Sequence, residues 1–181
     1  MSIIALVVSG APLARRALEL TTALRADGWQ VQVVATPASS MWLTREKQDA
    51  LTTLGSPARF KFRSPGASYS SADPDAVAVC PASFNTVNKL AAGIADSYAM
   101  ALICESLGLK TPLVIVPMIN RKLWGHPRLS SSLTFLREAG VTLLDVQTGG
   151  TDLSPVESGT GDAVVDRFDP RWLTAAVRSK T

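Results

Sequence analysis

Two cysteines, Cys80 and Cys104, and one histidine, His126, are all that 181 residues hold of those types. Nothing in their spacing forms a metal or disulfide pattern, so neither a metal site nor a disulfide framework is expected. Long apolar runs are missing too: none approaches the roughly 18 residues that a membrane span needs. The apolar start, Met1 to Val8, lacks a basic leader and a cleavage site, and it reads as a first strand rather than a signal peptide. Charged residues make up 18% of the chain, with a net charge of +3 and the basic residues spread along it. That distribution gives no sign of nucleic-acid binding. There is no internal repeat, no Gly-x-Gly-x-x-Gly and no Walker loop. A cytoplasmic location with no membrane partner is the expectation.

What is present is apolar sequence, 46% of the residues, enough for one domain with a sizeable core. Continuous apolar runs at Ile3 to Val8, Val31 to Ala35, Ala76 to Val79 and Leu113 to Val116 read as buried parallel strands. Arg59 to Phe62 and Val141 to Leu144 read as shorter ones. Leu13, Ala17, Leu20 and Leu24 recur at helical spacing, closed by Asp27-Gly28. Further helices are expected within Ser39 to Leu54, after Cys80 through Leu107, over Pro127 to Glu138 and over Pro170 to Arg178. Such alternation implies a mostly parallel sheet covered on both faces. The expected class is α/β: a single Rossmann-like (flavodoxin-like) three-layer domain over residues 1–181. The stretch 147–169 has four glycines and no aromatic until Phe168; it reads as a flexible flap over the site.

Chemistry is expected at the carboxyl ends of the strands, where open α/β sheets bind ligands. Val8-Ser-Gly-Ala-Pro12 ends the first strand in a small-residue turn before a helix, which makes an anion site from free backbone N–H groups. Thr36-Pro-Ala-Ser-Ser40 ends the second strand in the same way. Its hydroxyls suit either a phosphate or a helix cap. Two such turns on adjacent strands together suggest a mononucleotide phosphate pocket. Taken alone, Ser83 reads as a helix N-cap, and Asn120 as a loop stabiliser beside a packing Trp124.

The segment Cys80-Pro-Ala-Ser-Phe-Asn-Thr-Val-Asn-Lys-Leu-Ala-Ala-Gly-Ile-Ala-Asp96 resembles the homo-oligomeric flavin-containing cysteine decarboxylases. The match is Pro-Ala-Ser-x-Asn-Thr, then Lys-Leu-Ala-x-Gly-Ile-Ala-Asp. Pro117, Asn120, Trp124 and Pro127 match a second motif of that family, in which Ile119 and Leu123 replace the usual methionines. The resemblance covers roughly residues 1–145. It implies bound FMN, with the phosphate held by Ser9, Gly10 and Ser39. Pro81, Ala82, Ser83, Asn85, Thr86 and Asp96 would belong to the same cofactor site, and Asn120 would contact a substrate carboxylate. It also implies a homo-trimer or a multiple of trimers, and oxidative decarboxylation of a cysteine to an enethiol. The substrate would be a cysteine-containing peptide or a small thiol.

Three departures from the family stand out. Phe84 replaces a small residue. The family's catalytic His lies just upstream of the strand at Ala76, but Ser64 to Ser71 contains none; Tyr69 is the candidate left in that stretch. The late flap holds no Cys, which places the chain nearer the peptidyl-cysteine decarboxylases of lantibiotic pathways than phosphopantothenoylcysteine decarboxylase. His126 precedes Pro127, where family members carry a His without catalytic duty, and Cys80 and Cys104 read as small core residues. The rival reading is a non-catalytic FMN-binding protein or partner subunit of the same fold. A flavin prenyltransferase is disfavoured by the Pro117 to Asn120 loop.

Overall fold

Five short strands, each too apolar to lie at a surface, line up in one parallel sheet in the computed structural model, which describes residues 2–62, 64 and 73–180. They are β1 (Ile3–Val8), β2 (Gln30–Ala35), β3 (Ala76–Ala82), β4 (Leu113–Pro117) and β5 (Thr142–Leu143). Their order is β2-β1-β3-β4-β5, and every pairing is parallel. The expected flavodoxin-like α/β architecture is therefore present, with no antiparallel strand among the described residues.

Parallel neighbours need crossovers, and helices supply them. They are α1 (Ala17–Ala26), α2 (Arg45–Thr53), α3 (Phe84–Ala91), α4 (Tyr98–Gly108), α5 (Arg121–Trp124), α6 (Pro127–Glu138), α7 (Gly161–Arg167) and α8 (Pro170–Arg178). The two-residue strand period splits the core into two layers. Ile4, Leu6 and Val8 pack with α1, α7 and α8 on one face; Ala5 and Val7 pack with α3, α4 and α6 on the other. β3 divides in the same way, Ala76, Ala78 and Cys80 against Val77 and Val79.

Local structure departs from expectation in three places. Arg59 makes only a single bridge to Val34, with no strand over 59–62. The helix expected after Cys80 is two helices, broken over 92–97; Gly93 takes φ +69 at the break, and Ser97 caps α4 by accepting from Met100 N. The stretch 147–169 carries α7 and buries Val156, Val164, Val165 and Phe168 in the first core layer. Arg16 reaches across to it, donating to the Phe168 carbonyl at 2.8 Å and to that of Val165.

Candidate functional site

The carboxyl ends of β1, β2, β3 and β4 open into one cavity of about 690 Å³, within the usual range for a cofactor or small-ligand site. Its floor is laid by three turns. Gly10 and Ala11 follow β1, Thr36 to Ala38 follow β2, and Ser83 to Thr86 begin α3. Its far wall is Met118 to Asn120 after β4, and Glu157 to Gly159 close the rim.

The first two turns touch. A Cβ built on Gly10 would lie 2.8 Å from Ala38 Cβ and 2.9 Å from the Ala38 carbonyl oxygen. Only glycine admits that approach, which draws the two loops together at the cavity. Beside them the Thr36 hydroxyl is buried with no hydrogen-bond partner. A buried hydroxyl without a partner is costly, and a ligand oxygen would satisfy it. Met100, Met118 and Ile119 add apolar surface to the same lining. Polar loops together with apolar surface fit a phosphate and a planar ring, so the residues present fit a flavin mononucleotide.

Ser9 and Ser39 sit behind this surface. Both are fully buried. Ser9 Oγ donates to the Pro81 carbonyl at 2.8 Å and accepts from Ser83 N at 2.7 Å, tying the end of β1 to that of β3. Ser39 Oγ donates to the Thr36 carbonyl at 2.7 Å. These hydroxyls, expected at the phosphate, instead shape the loops that face the cavity. Pro81 and Ala82 are buried at the end of β3 and are likewise not part of the lining.

Gly10, Ser83, Asn85, Thr86, Asp96 and Asn120 do come together around the cavity. Ser83 caps α3, accepting from Thr86 N at 3.3 Å. Asp96 pairs with Lys89 Nζ at 2.6 Å, and both line the cavity. Asn120 has two tasks. Its Oδ1 accepts from Leu123 N at 3.0 Å and caps α5. Its Nδ2 is a pure donor, and the residue belongs to the cavity lining. The backbone on either side is fixed by Val156, whose N–H donates to the Ile119 carbonyl and whose carbonyl accepts from Arg121 N, both at 2.9 Å. Tyr69 lies outside the described residues.

Thr36, one of the hydroxyls that the sequence offered for a phosphate, is in the lining. Lys89, Phe84 and Glu157, which also line the cavity, were not among the residues that the sequence assigned to the site. Glu157 hydrogen-bonds Arg121, with Nε to Oε1 at 2.5 Å, and this bond holds the Glu157 carboxyl below its ordinary range. No sequence signal joins the two, since they are brought together by the Val156 bridge.

His126 Nδ1 accepts from Arg128 N at 3.1 Å and caps α6, while its ring meets Phe84 edge-on at 5.5 Å. Neither thiol is activated. Burial pushes Cys80 far up, and burial also raises Cys104. Among the described residues no group of three or more His, Cys, Asp or Glu could hold a metal, and no helix is long and apolar enough to cross a membrane.

Comparison with known proteins places these features in context. A family model described as Flavoprotein matches residues 2–166. A coenzyme A biosynthesis bifunctional protein of Thermococcus kodakarensis is 31% identical over 71 residues, covering 39% of this chain and 17% of its own length. The corresponding Bacillus subtilis protein is 28% identical over 148 residues, covering 80% of this chain and 36% of that one. The chain thus spans only about a third or less of the curated relatives it matches. Those relatives include phosphopantothenoylcysteine decarboxylases of Arabidopsis thaliana rather than the peptidyl branch expected from the flap. Among solved structures, the FMN-dependent cysteine decarboxylase SpaF superimposes with a TM-score of 0.69 at 19% identity, covering 97% of each chain.

Proposed function

The chain belongs to the flavoprotein family, and from that premise we propose that it binds FMN and catalyses oxidative decarboxylation of a C-terminal peptidyl cysteine to an enethiol. The observation that carries this reading is Asn120. One end of its amide caps α5, the other end is a neutral donor, and the residue lies in the cavity lining. Such a donor suits a substrate carboxylate, because it binds the anion without offering a proton that could neutralise it.

FMN, when bound, supplies a two-electron acceptor for the cysteine Cβ–S unit. The chain's own residues do the rest. Thr36 and the N–H groups of the two adjoining turns would hold the phosphate. Ser83, Asn85 and Thr86 would border the ring. Asn120 would hold the carboxylate until it leaves as CO2. The rim residues are tethered by the Arg121–Glu157 pair. The peptide would lose two hydrogens and CO2, with the two electrons accepted by FMN when it is bound.

Two features support a peptidyl substrate over phosphopantothenoylcysteine. The 147–169 stretch contains no Cys, and the rim residues Glu157 to Gly159 are exposed. The second reading, an FMN-binding protein without turnover, is favoured by one observation: the chain's lone histidine is spent on capping α6.

The test is incubation of the purified, FMN-loaded protein with cysteine-terminated peptides and, in parallel, with phosphopantothenoylcysteine. The expected result is a peptide mass loss of about 46 Da, CO2 plus two hydrogens. Asn120→Asp should keep the α5 cap, since Asp caps as well as Asn. It should cut turnover about 10–100-fold by facing the substrate with a second carboxylate. FMN binding with no loss of mass from either substrate would favour the second reading; turnover of phosphopantothenoylcysteine alone would refute the peptidyl assignment.

A further inference from the structure

Asp145 is the one charged side chain among the described residues that is buried, at 1% exposure. A carboxylate withdrawn from water needs donors in place of its hydration shell. Asp145 has five. Oδ1 accepts from Gln147 N at 2.8 Å, Thr148 N at 2.9 Å and Thr148 Oγ1 at 3.2 Å. Oδ2 accepts from Ser154 N and Ser154 Oγ, both at 2.7 Å. Gln147 tightens the same knot, its Nε2 donating to Ser154 Oγ at 2.8 Å and to the Pro155 carbonyl at 3.2 Å. None of Asp145, Gln147 or Ser154 lines the cavity.

What the knot controls lies two residues further on. Val156 follows Ser154 by at most about 7 Å of extended chain. Its N–H and carbonyl clamp the backbone on both sides of Asn120, at Ile119 and Arg121. The next residues, Glu157 to Gly159, form the cavity rim. We propose that Asp145 is a positioning residue: by gathering 147, 148 and 154 onto one carboxylate it sets where Val156 lies, and through Val156 the place of Asn120 and of the rim.

Asp145 is anchored in the sheet layer, between buried Leu144 and Val146, and Leu144 N donates to the Ile115 carbonyl beyond the end of β5. The 147–154 loop has little apolar burial of its own, so its shape depends on polar bonds. Most of those converge on Asp145. Replacing one carboxylate oxygen with an amide leaves Ser154 N–H facing another donor.

The consequence for substrate rests on the function proposed above, but the test does not. Amide exchange is measured on the FMN-free protein at Val156 and Arg121, with Leu6 and Val79 in the central strands as controls. Asp145→Asn should accelerate exchange at Val156 and Arg121 at least tenfold and leave the controls unchanged. Ser154→Ala, a milder change, should accelerate the same two amides by a smaller factor. In the loaded protein, Asp145→Asn should shift FMN affinity less than threefold, because the Thr36 and Gly10 loops are at the opposite end. KM for a cysteine-terminated peptide should rise at least tenfold with kcat changed less. Unchanged exchange at Val156 and Arg121, or acceleration no greater than at Leu6 and Val79, overturns the proposal. If Asp145→Asn does not fold, the same two amides in Ser154→Ala decide, and their silence overturns it. Loss of turnover in the wild type would refute the decarboxylase reading alone and leave the exchange result standing.

Discussion

Replacing Thr36 with valine should make the FMN-free protein more stable and its cofactor affinity weaker. Thr36 follows β2 in extended backbone at φ −74 and ψ 154, which a β-branched residue adopts readily. Its hydroxyl is buried in a residue only 7% exposed, with no partner. An unsatisfied buried polar group costs about 1–3 kcal/mol, and valine removes it with nearly the same shape. For a chain of this size each kcal/mol moves Tm by roughly 2–4 °C, so a gain of about 2–12 °C is expected without FMN. A hydrogen bond to a charged phosphate contributes roughly 1.5–3 kcal/mol. Its loss should therefore raise the FMN Kd by about 10–150-fold. Thr36→Ser, which keeps the hydroxyl, should hold affinity within a few-fold. Thermal unfolding of the FMN-free protein and quenching of FMN fluorescence on titration measure the two effects separately. A fall in Tm with an unchanged Kd would refute the assignment of Thr36 to the phosphate.

Three further outcomes are expected. Gly10→Ala places a methyl against Ala38, whose carbonyl cannot swing away, so the two loops must part; about 1–3 kcal/mol of stability should be lost by denaturant titration, and FMN affinity with it. Thiol alkylation of the native protein at pH 8 should modify Cys104 slowly and Cys80 not at all: a raised pKa leaves less thiolate at that pH, and labelling grows as pH rises, whereas denaturant should expose both cysteines equally. Light scattering of the FMN-loaded protein should give a trimer or a multiple of three, in keeping with exposed Leu109, Leu123 and Phe135; a loaded monomer at micromolar concentration would exclude it.

Several site residues were legible because their chemistry is local. Ser83 precedes a helical pattern and does cap α3; Asn85 and Thr86 follow it into the first turn, and a turn of α3 carries all three to the cavity. Gly10 was legible as a small residue in a strand-end turn, although its reason, contact with Ala38, lies 28 positions away. Ser9 and Ser39 show the limit of such reading. A hydroxyl beside a strand end looks equally suited to a ligand or to a neighbouring carbonyl, and only the distance between β1 and β3 decides that Ser9 bonds Pro81 and Ser83.

The sequence by itself determined the elements that depend on periodicity and burial: parallel strands from continuous apolar runs, and the two-sided core from alternate strand positions. It also carried the family, through motifs that run without gaps along one segment. Only the tertiary structure decided what converges from distant segments. Gly10 and Ala38 meet because β1 and β2 are neighbours in the sheet. Arg121 and Glu157 meet because Val156 bridges Asn120, and Asp145 governs that bridge because five donors from three later residues fold back onto its carboxylate. Hydrogen bonds of this kind act over about 3 Å in space and impose no fixed spacing along the chain, so no sequence period records them.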